Sequence, residues 1–190
     1  MIISISINGV IRDILSKFEQ VYEKYQDKEV LSQVITPNLM EYVEFKDDTE
    51  LLEFLYDEAP MEIFGQAKEI ENNIISHLGE LYKGMPNDYV LRVVSDDFGR
   101  AKPATLWFLA KYGLVCDEII FYTTNTVDSV WGNTDIFITS DNDIIESKPK
   151  DKKLVVVDKC YNKNTISDLR IKSIKEIKSF KDVCEEIITV

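Results

Sequence analysis

Ile2, Ile3, Ile5 and Ile7 make a short β-branched run that stops at Asn8-Gly9. An apolar run of this length, closed by a turn signal, predicts a buried strand. The spacing of apolar positions then changes. Ile11, Ile14, Leu15, Phe18, Val21, Tyr22 and Tyr25 recur every three or four residues, which predicts an amphipathic helix. Strand, glycine turn and helix in that order open a doubly wound α/β domain.

From about Gln26 to Pro86 the pattern is helical. Asp48-Thr49 offers a cap for a helix covering Leu51, Leu52 and Leu55. A longer helix is predicted with Ala67, Ile70, Ile74, Ile75, Leu78 and Leu81 on one face, ended by Gly84 and Pro86. The only strand candidate here is Tyr42–Phe45. Alternation then resumes, with strands at Tyr89–Val94, Glu118–Tyr122, Asp135–Ile138 and Leu154–Val157. A helix opened by Pro103 at its first position runs through Lys111 to Gly113. The tail reads as a short extended piece near Ile171 and a helix ending near Ile188. About five alternating strands predict a mostly parallel sheet with right-handed crossovers. The expected division is a core of 1–25 and 87–190 with a helical insert, 26–86, over the sheet.

Composition narrows the function classes. The chain has 190 residues, 45% hydrophobic and 11% aromatic, enough for one packed domain. Its formal net charge is −12, which argues against gripping nucleic acid or an anionic membrane. Lys148 to Lys153 form a basic cluster expected to be a solvated loop. Cys116, Cys160 and Cys184 are odd in number and lack C-x-x-C spacing, so neither a disulfide framework nor a zinc site is expected. MIISISINGV has no basic leader region, and no apolar run approaches the ~20 residues of a membrane span. A non-secreted, non-membrane protein is expected. His77 fits a surface or partly buried helix position; Trp107 and Trp131 fit core or edge positions, with interface anchoring as the alternative.

Ligands bind parallel sheets at the carboxyl ends of the strands. The four predicted tips read Ser6-Ile7-Asn8-Gly9, Ser95-Asp96-Asp97, Thr123 to Thr126, and Thr139-Ser140-Asp141-Asn142. Small neutral hydrogen-bonding residues dominate them. Such groups orient ligands or brace turns, but do not hold a hard divalent cation tightly.

In order and spacing these tips resemble the haloacid-dehalogenase superfamily, nearest its 5′(3′)-deoxyribonucleotidase branch. That family opens hhhh-D-x-D-G-V, where this chain has Ser6-Ile-Asn8-Gly9-Val10. Its second motif, a Ser or Thr, matches Ser95. Its K-x-x-x-W-x-x-K-x-x-G helix resembles Lys102 to Gly113, its motif lysine falls on Asn125, and its Asp pair falls on Thr139 and Ser140. The resemblance implies a three-layer fold with a small helical cap. It also implies that Ser6 replaces the phosphoryl-accepting Asp, Asn8 the general acid/base, and Thr139 and Ser140 the Mg²⁺ ligands.

Phosphoryl transfer of this kind needs a carboxylate nucleophile, metal-holding carboxylates and a balancing cation. Losing one such group costs on the order of 10² to 10⁴ in rate. Losing all of them predicts no enzyme, no catalytic residue, no cofactor and no metal. Asp13, Asp96, Asp97, Asp141 and Asp143 are the acids from which a metal site could be rebuilt; capping and surface roles are the plainer reading. The composition resembles proteins of AT-rich phage genomes, which implies a virion or assembly component. The specific expectation is a homo-oligomeric ring at a portal–tail neck, contacting other virion proteins and present in host cytoplasm during assembly. The alternative is residual nucleotidase action, or nucleotide or phosphate sensing through Ser95 and the old pocket.

Overall fold

Isoleucines at every second position of the first strand point to one side of the sheet, and serines to the other. The computed structural model describes residues 1–188; Thr189 and Val190, on which the predicted tail ends, lie outside them. In chain order the elements are β1 (Ile2–Ser6), β2 (Arg12–Asp13), α1 (Ile14–Gln26), α2 (Asp48–Glu53), β3 (Lys68–Glu69), α3 (Ile74–Lys83), β4 (Val90–Ser95) and α4 (Ala101–Tyr112). There follow β5 (Glu118–Phe121), α5 (Val127–Gly132), β6 (Ile136–Thr139), α6 (Asn142–Glu146), β7 (Lys153–Val157), β8 (Leu169–Ile171) and α7 (Phe180–Ile188).

Six strands form one sheet in the order β5-β4-β1-β6-β7-β8, every pairing parallel. The sixth is the short piece at Ile171. Ile3, Ile5 and Ile7 pack with Leu91, Val93, Ile136, Ile138 and Val155 beneath α3, α4 and α7. Val94, Phe137, Leu154 and Val156 face α5 and α6 around Trp131. The fold is therefore α/β in three layers. Each fully buried Ile or Val contributes roughly 1.5–3 kcal/mol of burial, and β-branched side chains suit a strand covered on both faces.

A third cluster joins Phe18 and Tyr22 of α1 to Tyr42, Phe54, Phe64 and the alanines Ala101 and Ala104 of α4. The packed clusters do not coincide with boundaries at 26 and 86. Helix α1 buries its face in the insert, while Ile74, Ile75, Leu78 and Leu81 of α3 belong to the sheet's core.

Several local expectations are corrected. Ile11 is buried but precedes the helix, because the chain reverses at Gly9 (φ +74°) and the Ile11 and Arg12 amides both donate to the Ile7 carbonyl. Asp13 then caps α1 by accepting from the Ser16 amide. Ala67 and Ile70 are likewise off the helix. Lys68–Glu69 pairs antiparallel with Arg12–Asp13, and α3 begins only after Asn73. Side chains at helical spacing were buried by a different backbone path. Tyr42–Phe45 is no strand; it follows a 3₁₀ turn and buries Tyr42 and Val43 in the helical cluster. Asp47, one residue before the expected cap, accepts from the Glu50 amide. Pro103 is the third residue of α4, still in the first turn where a missing N–H leaves no bond unmade.

Candidate functional site

The chain leaves β1 toward β4 and leaves β6 toward β7. That divergence opens a crevice above the β1 and β6 tips. Ser6 and Thr139 stand there side by side, with Oγ and Oγ1 2.6 Å apart and both residues buried. The Thr139 hydroxyl also accepts from the Asp141 amide at 3.0 Å. Ser6 thus meets a hydroxyl rather than a base, and among the described residues no base hydrogen-bonds it.

Ser95 and Ser140 are buried too. Ser95 Oγ accepts from the Asp97 amide at 3.3 Å, and Ser140 Oγ from the Tyr161 hydroxyl at 3.4 Å. A Cβ at Gly9 would meet Ser140 Oγ, so this close approach and the positive φ both require glycine. Five of the six positions singled out in sequence therefore converge. Asn125 does not: it is exposed in the turn Thr124–Thr126 after β5.

Asn8 is the connector of the site. Its Nδ2 donates to Asp96 Oδ1 at 2.8 Å and to Asp97 Oδ1 at 3.1 Å. Its Oδ1 accepts from Arg12 Nε at 2.9 Å and from a second guanidinium nitrogen at 2.5 Å. An amide can do both at once; a carboxylate cannot donate.

Arg12, which the sequence reading missed, is fully buried. It pairs with Asp97 Oδ2 at 2.6 Å and donates to the Phe64 carbonyl at 3.1 Å and Thr105 Oγ1 at 2.7 Å. Thr105 in turn donates to Asp97. The guanidinium lies 5.3 Å and 5.4 Å from the Phe64 and Phe108 ring centroids. Every donor direction is used, the condition under which a buried pair can offset its desolvation. The available signal was one arginine four residues after the strand-tip asparagine, within an otherwise apolar stretch.

Asp96 is reachable by water through the crevice, yet protein surrounds its carboxyl. Desolvation first, then the charges of Asp97 and Asp141, push it up to about 7. Burial also raises Asp141, against a hydrogen bond donated by Tyr122 at 2.5 Å. Burial, then Asp96 and Asp141, raise the Tyr122 phenol. Lys159, just past β7, is half-buried and its ammonium is pushed down by burial, opposed by Glu71 and Asp13.

Above these residues lies a cavity of about 880 Å³, in the range of small-molecule sites. Tip residues and Asp96, Asp141 and Lys159 form its floor, and Val34, Ile35, Pro37 and Tyr56 of the insert its roof. Tyr56 and Phe98 stack at 3.7 Å between centroids on its wall.

The donor set does not fit a divalent cation. Among the described residues no three His, Cys, Asp or Glu side chains are placed to share one. Asp13 and Asp141 cap helices, Asp97 is held by Arg12, and Asp143 is exposed. No helix of the described residues is long and apolar enough to cross a membrane.

Fold and site together define an α/β protein with a parallel sheet, a roofed cavity at the strand tips, and a floor of hydroxyls and one amide flanked by the carboxyls of Asp96 and Asp141 and the ammonium of Lys159. No family model matches the chain, and no curated protein sequence matches it. Among solved structures, the L-2-haloacid dehalogenase of Xanthobacter autotrophicus with chloropropionic acid covalently bound is 14% identical over 82% of this chain and 76% of that one, with a TM-score of 0.48. A likeness that loose carries no argument about the site.

Proposed function

We propose that the protein is a non-catalytic relative of the haloacid-dehalogenase phosphatases, retained as a structural or assembly component. One observation carries this reading. Asn8, where the family has its acid/base, uses an amide's donor and acceptor together to join Arg12, Asp96 and Asp97. The tip is wired as a structural joint. The hydrogen bond between Ser6 and Thr139, with Thr139 also accepting from the Asp141 amide, supports the same conclusion, since neither hydroxyl is set beside a base. The helix from Lys102 to Gly113 supports the nucleotidase branch, and the composition supports a phage virion as the assembly, as in the sequence argument.

The test is phosphate release from deoxynucleoside monophosphates with Mg²⁺, alongside native mass. No release and a defined oligomer are expected. Turnover abolished by changing Ser6, Asn8 or Asp141 would sink the proposal.

The cavity supports a second reading, nucleotide or phosphate sensing, because Lys159 brings a cation to its floor. Asp96 and Asp141 oppose a phosphate there. A monomer whose melting temperature rises with deoxynucleoside monophosphate would favour sensing over assembly.

A further inference from the structure

The chain's net charge of −12 conceals a strong segregation. Residues 147–181 carry eleven of its 22 Lys and Arg against four Asp and Glu, while residues 27–62 carry eleven Asp and Glu against two Lys. The two segments touch at the cavity, where the Cys160 thiol donates to the Ile35 carbonyl, and from there they lead to different edges of the sheet. Segment 61–65 packs on α4, whose Ala101 and Ala104 sit in the insert's cluster, and α4 leads to β5 at one edge of the sheet. The basic segment supplies β7, the opposite edge strand β8 and the approach to α7.

Within the basic segment, Lys163, Lys172 and Lys178 are exposed, and they form no ion pair among the described residues. Ile166 lies in the same stretch and is 88% exposed. Its loop is held in place: Arg170 bonds Asp158 at 2.5 Å, the Asn162 carbonyl at 2.9 Å, and both the carbonyl and hydroxyl of Thr165. An isoleucine held out in water on a braced loop, within a lysine-rich segment, is a ready anchor. The acidic segment offers the complement. Asp48, Glu53 and Glu58 are exposed, with the apolar Leu52 and Met61 exposed among them.

We propose that the β7–β8 side of one copy docks on the acidic insert of the next, with Ile166 as its apolar anchor. This deepens the assembly reading and rests on it. Two different patches of one chain meet, so the contact is head to tail and propagates into a closed ring or a filament. Complementary charge steers the encounter and sets the orientation. It must overcome the general repulsion between two copies of charge −12; at contact distance the facing patches of opposite sign outweigh that repulsion, and salt weakens their attraction.

The experiment is a charge swap in the full chain, read by sedimentation or native mass. Variant one is Lys163→Glu/Lys172→Glu/Lys178→Glu; variant two is Asp48→Lys/Glu53→Lys/Glu58→Lys. All six side chains are exposed, and circular dichroism with thermal unfolding checks each fold. The native chain is expected to self-associate and to weaken about tenfold or more between 50 and 500 mM salt. Each variant alone should be monomeric, its two patches now carrying one sign. Mixed in equal amounts they should co-assemble, because each variant's edge again faces an insert of opposite charge. Ile166→Asp in the native background should also give a monomer.

A native oligomer untouched by either variant would overturn this interface and leave the assembly reading standing. A monomer at every salt would overturn both. A monomer that binds duplex DNA through the lysines removed in variant one would assign the edge to a polyanion instead.

Discussion

Asp96 and Asp97 are neighbours in sequence and opposites in circumstance. Asp97 is 1% exposed and accepts from Arg12, Thr105 and Asn8, so its charge is matched inside the protein. Asp96 accepts the other hydrogen of the Asn8 side-chain amide and a bond from its own backbone amide, has no cation beside it among the described residues, faces Asp141, and looks into the cavity. One strand tip thus ends in a sealed joint and a frustrated rim. The joint holds α1, α4 and the insert to the sheet. The rim is where a carboxyl is kept near its protonation point. The contrast teaches that one strand tip can carry a fully matched buried ion pair and an unmatched carboxyl side by side.

The most direct way to break the joint is Arg12→Met. Asp97 would remain buried without its cation, at a cost of about 3–5 kcal/mol. Urea unfolding measures it. The double change Arg12→Met/Asp97→Asn should cost clearly less than the two singles added, since no buried charge is then stranded. A single-variant loss below about 1 kcal/mol would show that the pair is not holding this corner.

Asn8→Asp sharpens the comparison from the middle. It places at position 8 the residue type that the sequence resemblance implies, yet removes both donations to Asp96 and Asp97 and adds a third carboxylate. A stronger bond with Arg12 offsets part of this. The expected loss is about 1–3 kcal/mol, with no gain of phosphatase activity. The added carboxyl would have a raised folded-state pKa, so the loss should be smaller at pH 5 than at pH 8. An active or stabilised Asn8→Asp would refute the structural role given to the amide.

Gly9→Ala comes next. It combines a positive φ with a methyl group meeting Ser140 Oγ, and about 1–3 kcal/mol is expected. Adding Ser140→Ala should recover the steric part alone. Thermal melts of the single and double variants separate the two contributions.

The sheet was legible because its strands are short β-branched runs between turn signals, and burial on both faces leaves little else for such runs to do. Serines and threonines at the tips were legible for the same reason: they follow where each run stops. Ala67 and Ile70 were misplaced because burial at helical spacing arises equally from a bent extended segment. Arg12 was passed over because its place among apolar residues is a weak sign of burial; only the third dimension brings Asp97, Thr105 and the Phe64 carbonyl around it. Asn125 was placed by alignment of motifs, and the turn after β5 carries it away from the cavity. Lys159 was overlooked because its strand was not one of the four tips considered.

The smallest effect tests the rim. Asp96 has a folded-state value of about 7, above the roughly 3.9 of an unfolded aspartate. Between those values the native state binds the extra proton, so stability falls as pH rises from about 4 to 7, and the full cost of the charge is present above 7. Asp96→Asn removes that cost and can still accept from the Asn8 amide through its own carbonyl. The variant should therefore melt higher than the native chain at pH 8 and nearly level with it at pH 5. Water reaches this carboxyl, so the gain is screened to about 1 kcal/mol or less. The same sign governs anions in the cavity: inorganic phosphate should raise the native melting temperature more at pH 5.5 than at pH 8, and Asp96→Asn should flatten that difference. A gain at pH 5 as large as at pH 8 would show that the charge of Asp96 is already matched, and that the two aspartates differ less than their surroundings indicate.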